Sequence, residues 1–388
     1  MLNDLINSKI DLGKHKKGGR LLEKGKVSAK DVARYSGVST ATVSMILNGK
    51  SSKFSEKTCR KVIDACNELG YVHSISFRTN SNDDKVLIAI VPTFSNLYFV
   101  QAVESMQRRA KELGYSLLTF DTCRERTQEA LIIHICSRYP FLGVVFLYPP
   151  ENNLLLQQLE LAKPVMHIYD KGVYSEANVL EFDGVRVGSI IAKHLYDYGH
   201  RRIAFLSMDF ETKQAVRARR LTGLRAVYEK NGLDPEESVL LCTPETELPQ
   251  AKTLPEGYEL GYMITKKLIE RKEMVTAIVG LNDMVAMGAM DAIIDAGLRV
   301  PEDYSVCGCD NTSIAKFRRV SLTSVDSYPI QIGREAVDFL VKKIEHTDFL
   351  SGMEDNPIGV TRMEYFPRLI ARKSTGPVKG HSHSAHDT

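Results

Sequence analysis

The sequence is short of the features that mark secreted, membrane and catalytic chains. Its 7 cysteines are odd in number and scattered, and the closest pair, Cys307 and Cys309, lacks the two-residue gap of a redox or zinc knuckle. A disulfide framework is excluded, and reduced thiols in a cytoplasmic protein are expected. No apolar run approaches the roughly 18 residues that a membrane span needs. The N-terminus has no apolar stretch of the signal-peptide kind, so no export and no membrane partner are expected. No GxGxxG, Walker A, HExxH or GxSxG pattern occurs. The acidic residues show no evident acid/base couple, and Cys and His form no legible nucleophile–base pair. The expectation is a protein that is not an enzyme, with no catalytic residues, no cofactor and no metal. His381, His383 and His386 read as part of a disordered end rather than a metal site, because no further ligands lie near them in sequence.

What is present is ordinary globular composition, 43% apolar and 26% charged, in 388 residues with room for two or three domains. The net charge of +3 conceals an asymmetry. Residues 1–80 hold 15 Lys and Arg against 7 Asp and Glu, whereas the remainder holds 36 against 41. A basic head on an acidic body points to a polyanion-binding module attached to a part that need not touch the polyanion.

The chain divides accordingly. Residues 1–26 form a flexible basic leader, 27–71 a compact helical headpiece, 72–84 a polar hinge or linker, 85–373 a long body and 374–388 a disordered tail. In the body, strand-sized apolar runs alternate with helical segments: Val86–Val91, Gln101–Leu113, Ser116–Phe120, a helix through 125–138, Gly143–Leu147, Val165–Tyr169 and onward to Ser305–Gly308. Such alternation predicts parallel sheets flanked by helices. Its length predicts two lobes, with a ligand in the cleft beyond the strands' carboxyl ends. The N-lobe is expected at about 85–183 and 326–348, the C-lobe at about 184–325 and 349–373.

The headpiece carries the sharpest signal. Asp31–Tyr35 makes a short helix with Val32 and Ala33 inward, Gly37 allows a tight turn, and Ser39 caps a second helix. Val43, Ile46 and Leu47 form that helix's apolar face, leaving Thr40, Ala41, Thr42, Ser44 and Met45 on or near its exposed side. Ser55 caps a third helix, in which Cys59, Val62, Ile63, Cys66 and Leu69 make one apolar stripe. This is a helix-turn-helix, whose second helix enters the major groove of DNA.

Asp31-Val-Ala, Gly37-Val-Ser, Ala41-Thr-Val-Ser44, Leu47-Asn-Gly49 and Glu68-Leu-Gly-Tyr71 together resemble the headpiece of the LacI/GalR family of bacterial transcription regulators. The body is similar to the family in order and spacing at Tyr198-Gly-His-Arg-Arg-Ile-Ala-Phe205, Arg220 with Gly223, Asn282-Asp-Met-Val-Ala-Met-Gly288 and Leu322-Thr-Ser-Val325. The resemblance spans residues 28–373. It implies an all-α headpiece on a two-lobed, periplasmic-binding-protein-like α/β body. It also implies a homodimeric repressor in a bacterial cytoplasm, on the nucleoid when bound, with double-stranded operator DNA and a small-molecule effector as partners. DNA contacts are expected from Ser28, Lys30, Ser39, Thr40, Ala41, Thr42, Ser44, Met45, Asn48 and Lys53.

Two departures from the family pattern stand out. The hinge position where the family carries a wedging leucine is Asn80, and His73 stands where a proline is expected. Ile75, Phe77 and Arg78 are the other hinge candidates, and Phe77 or Ile75 could supply the wedge. In the recognition helix, Met45 occupies the place of an arginine that pairs with guanine in many relatives, which predicts an unusual operator or weaker discrimination.

For the effector, the resemblance singles out Asp170 and Arg220, and strand-end placement adds Asn282 and Asp310. Ser95, Tyr98 and Phe99 line the other wall. Arg220 with two aspartates fits a polyol, and the two rings fit a flat base. A sugar or sugar derivative is preferred, with a nucleobase or a phosphocarrier protein as alternatives. A solute-binding protein is the reading of the body taken alone. His200 is read as a turn residue.

Overall fold

The computed structural model describes residues 27–47, 53–69, 71, 85–171, 177–208, 215–248, 256–350 and 360–379. They form two units, one within residues 1–80 and one within 81–388. Asn48, the hinge candidates Ile75, Phe77, Arg78 and Asn80, the leader 1–26 and the tail histidines lie outside the described residues.

Three helices build the first unit: α1 (Ala29–Ser36), α2 (Thr40–Leu47) and α3 (Glu56–Leu69). The Ser28 backbone N–H and hydroxyl both donate to the Asp31 carboxylate, at 3.0 and 2.6 Å, closing the start of α1. α1 ends at Gly37, whose φ of +69° is the left-handed conformation that glycine adopts without a steric penalty. Ser39 Oγ then accepts from Thr42 N–H at 3.0 Å and starts α2, and Ser55 Oγ accepts from Thr58 N–H at 3.3 Å at the head of α3. Val32, Ala33, Val43, Ile46, Val62, Ala65 and Cys66 bury one another. Ile63 departs from the expected stripe and is 49% exposed. At about 100° per residue it stands one step around the helix from Val62, off the line of Val62, Cys66 and Leu69.

The second unit begins with a lobe built by β1 (Val86–Val91), α4 (Leu97–Glu112), β2 (Ser116–Asp121), α5 (Arg126–Arg138), β3 (Gly143–Phe146), α6 (Asn153–Ala162), β4 (Val165–Asp170) and β5 (Val179–Phe182). The C-lobe follows with α7 (Gly184–Asp197), β6 (Ile203–Leu206), α8 (Ala215–Lys230), α9 (Pro235–Ser238) and β7 (Val239–Cys242). It continues through α10 (Pro244–Glu247), α11 (Gly257–Glu270), β8 (Ala277–Gly280), α12 (Asp283–Asp295), β9 (Ser305–Asp310) and β10 (Thr323–Asp326). The chain returns to the N-lobe for α13 (Pro329–Leu350) and β11 (Arg362–Tyr365), then ends its regular structure in the C-lobe at β12 (Arg368–Ile370).

The N-lobe sheet runs β11-β5-β4-β3-β1-β2, all parallel. The C-lobe sheet runs β12-β10-β9-β8-β6-β7, parallel except for β12, which is antiparallel to β10. In the N-lobe α4 and α13 cover one face and α5 and α6 the other, so Leu87–Val91 is buried throughout and its sequence is continuously apolar.

Two expected boundaries are corrected. Residues 362–365 belong to the N-lobe sheet, where Arg362–Tyr365 pairs in register with Val179–Phe182 and gives the β5 edge its hydrogen-bond partners. The stretch from 374 is not a disordered tail up to 379. Val306 N–H donates to Ser374 O at 2.7 Å, and the Ser374 and Thr375 side chains are buried in the C-lobe. His200 is more than a turn residue, because its buried ring lies within hydrogen-bond distance of Thr276, Ser305 and the Gly376 carbonyl of that segment. Among the described residues, no helix is long and apolar enough to cross a membrane.

The C-lobe repeats one packing device. α7 crosses α8 where Gly188 meets Gly223, and α11 crosses α12 where Gly261 meets Gly288. A Cβ on Gly188 would stand 2.0 Å from the Arg220 carbonyl, so only glycine lets the backbones approach this closely. A Gly188→Ala substitution is expected to cost about 1–3 kcal/mol of overpacking, read as a lower urea midpoint. An unchanged midpoint would mean that the helices separate freely.

Candidate functional site

On the headpiece, Ser28, Lys30, Ser39, Thr40, Ala41, Ser44 and Lys53 are exposed, and Thr42 and Met45 are half-buried. The Thr42 hydroxyl lies 2.9 Å from Ser39 Oγ at the start of α2. α2 carries no charged side chain, so what it can offer a groove is hydroxyls, a methyl and a thioether. The two cations among the expected DNA contacts stand outside α2, at Lys30 on α1 and at Lys53 before α3, where they suit phosphates.

In the body, the lobes meet over a cluster of charges. Asp170 ends β4 and is buried. Its Oδ1 accepts from the Gly184 N–H at 2.8 Å and lies 3.6 Å from Arg219 Nε. Burial raises its pKa to about 6, with the Gly184 N–H, Arg220 and Arg219 pulling the other way. Asp310 ends β9 at a φ of +101°, a strained conformation for a residue with a side chain. Burial raises its carboxyl too, opposed by Arg220 and by hydrogen bonds from Asn96 and Ser327. The Tyr98 hydroxyl is pushed up by burial and by Asp310. Arg220 bonds the Leu281 carbonyl and is the cation that these groups share.

A small pocket, open to solvent, lies between the lobes. Ser95, Asn96 and Arg124 line it from the N-lobe, and Met208, Glu256, Gly257, Leu281, Asn282, Met284 and Val285 from the C-lobe. Asn96 also caps α4, accepting from Tyr98 N–H at 2.9 Å, and Asn282 caps α12, accepting from Val285 N–H at 3.0 Å. Among the described residues, no three His, Cys, Asp or Glu side chains are placed to hold a metal ion.

The profile of the bacterial regulatory proteins of the lacI family matches residues 28–74, and that of the periplasmic binding protein-like domain matches residues 192–375. The HTH-type transcriptional repressor PurR of Haemophilus influenzae (strain ATCC 51907 / DSM 11121 / KW20 / Rd) is 30% identical over 351 residues, 89% of this chain and 97% of its own. The chain belongs to the LacI family. Among solved structures, the Lac repressor bound to ONPG in the repressed state superposes with a TM-score of 0.60 at 25% identity, covering 90% of this chain and all of that one. A complex of the transcriptional regulator CelR with cellobiose has the same fold, with a TM-score of 0.60 at 23% identity over 90% of this chain and 99% of that one. As a LacI-family member the protein is a DNA-binding transcription regulator with an effector-binding body, and the relatives named here are DNA-binding regulators.

The residues expected at a LacI-family cleft are brought together unevenly. Ser95 and Asn282 line the pocket. Asp170, Arg220, Asp310 and Tyr98 are engaged with one another and are not among the residues that line it. Phe99 turns into the N-lobe core and meets Tyr98 edge-on at 5.3 Å, so the two rings do not make an open stacking slot. Asp283 is 1% exposed and accepts from Thr312 and Ser324, tying α12 to the segments after β9 and in β10. Burial and then Asp310 raise its pKa to about 7. Sequence reasoning missed Arg124, Met208 and Glu256. The first two follow the carboxyl ends of β2 and β6, a signal that was available. Glu256 heads α11 and carries no periodic signal at all.

Proposed function

We propose that this LacI-family regulator is a homodimeric repressor whose hold on a pseudo-palindromic operator is set by a sugar or sugar derivative in the cleft. Its two headpieces would occupy half-sites roughly one helical turn apart. Ser39, Thr40, Ala41, Thr42, Ser44, Met45 and Asn48 face the bases, while Ser28, Lys30 and Lys53 serve the backbone. Residues 72–84 link headpiece to body, with Ile75, Phe77, Arg78 and Asn80 in the hinge. The protein works in the cytoplasm.

The observation that carries the effector reading is the polar cluster between the lobes, in which Asn96, Tyr98 and Asp170 of the N-lobe face Arg220 and Asp310 of the C-lobe. These are donors and acceptors suited to hydroxyls. They sit where a ligand bridging the lobes favours one lobe arrangement over another. The cellobiose complex of CelR supports the same class. A flat nucleobase fits less well, since no aromatic ring lines the pocket among the described residues.

The test is titration of sugars into a labelled operator complex, followed by anisotropy. An effector must change operator affinity, and operator must change effector affinity by the same factor. A purine that does this where no sugar does would replace the sugar reading. For the recognition helix, Met45→Arg is expected to shift preference towards guanine at one operator position by about 1–3 kcal/mol. Identical binding across operator variants would place Met45 away from the bases.

A further inference from the structure

Arg124 and Glu256 face the pocket from opposite lobes. Arg124 sits in the loop between β2 and α5, in a turn where Cys123 and Arg124 both take left-handed φ values of +50° and +58°. Backbone conformations of this kind persist where the surroundings impose them, and they cluster at ligand clamps. Glu256 is the N-cap of α11, but its side chain makes no cap hydrogen bond. Both side chains are exposed, both line the pocket, and among the described residues neither has an ion-pair partner. Behind them the C-lobe wall is aliphatic or thioether, with Met208, Leu281, Met284 and Val285.

We infer that Arg124 and Glu256 are specificity-determining residues of the effector site, holding an uncharged polyhydroxylated ligand between them from opposite lobes. The inference rests on the sugar reading of the cleft and adds its charge class. An anionic ligand gains Arg124 and is repelled by Glu256, and a cationic ligand meets the reverse. A neutral polyol uses both, its hydroxyls accepting from the guanidinium and donating to the carboxylate. The apolar wall suits the C–H face of a saturated ring, and methionine adapts to its outline.

The experiment is calorimetric titration of the full-length protein with cellobiose, D-glucose and D-glucose 6-phosphate, comparing wild type with Arg124→Gln and Glu256→Gln. Circular dichroism melts serve as the fold control. At least one neutral sugar is expected to bind wild type more tightly than the phosphate does, and each variant weakens it about tenfold or more. The preference between glucose and its phosphate is expected to move in opposite directions. Glu256→Gln shifts it towards the phosphate by leaving Arg124 uncompensated, and Arg124→Gln shifts it away. A purely structural role for either residue would not produce opposite shifts. Sugar binding with an unmoved preference, or with both variants moving it the same way, overturns the inference and leaves the cleft reading intact. No binding of any of the three overturns both.

Discussion

An Arg220→Met protein is expected to lose about 3–5 kcal/mol of stability near pH 8 and clearly less near pH 5. Arg220 is the cation shared by Asp170 and Asp310, each buried to 5% exposure. Removing it leaves two buried carboxylates without their shared counter-charge. The pH dependence has a fixed sign. Burial raises the Asp170 carboxyl to about 6 in the folded protein, above its ordinary 3.8. An acid raised in this way contributes stability that is present below the unfolded value and lost as pH rises through the folded one. Asp283, raised to about 7, acts in the same direction. Wild type should therefore weaken between about pH 4 and 7, each tenfold weakening of an acid on folding being worth about 1.4 kcal/mol, and the variant should weaken more steeply. Urea denaturation at pH 5 and pH 8 measures both. An equal loss at the two values would mean that the aspartates do not depend on Arg220.

The second large effect is at the headpiece. Val43 is fully buried at the centre of α2, against Val32 and Val62. A Val43→Asp substitution puts an unpaired carboxylate into a core of seven buried residues, and the three helices should no longer pack. Operator binding is expected to fall at least about a hundredfold, comparable with the roughly 1–3 kcal/mol that one mismatched base pair costs, or larger. The body has its own cores and should keep its thermal transition. Retained operator affinity in a gel-shift assay would remove α2 from the interface.

The regular elements were legible where local chemistry decides. Gly37 and the capping residues Ser39 and Ser55 fix the headpiece from short-range interactions. The doubly covered strands are plain apolar runs. What the pattern could not supply depends on distant partners. β11 (Arg362–Tyr365) reads as half-polar, yet it joins the N-lobe because the β5 edge is there to pair with it. Ser374 and Thr375 look like tail, but their hydroxyls fill hydrogen-bonding sites beside Val306 and Thr323. The cleft behaved likewise. Strand ends located Asp170, Asn282 and Asp310, and a helix-capping role was legible there too: Asn282 caps α12, and Asp170 accepts from the Gly184 N–H at the start of α7. They did not reveal that the charged cluster is engaged with itself while Arg124 and Glu256 line the pocket.

The most direct test of the central claim is selection of fragmented or random duplex DNA by the purified full-length protein, sequenced at two salt concentrations and repeated with cellobiose added. The account predicts enrichment of a two-fold-symmetric site, bound less tightly as salt rises because phosphate contacts release counterions, and bound with altered affinity when a sugar occupies the cleft. Binding that fades with salt while no sequence is enriched in either condition would contradict it.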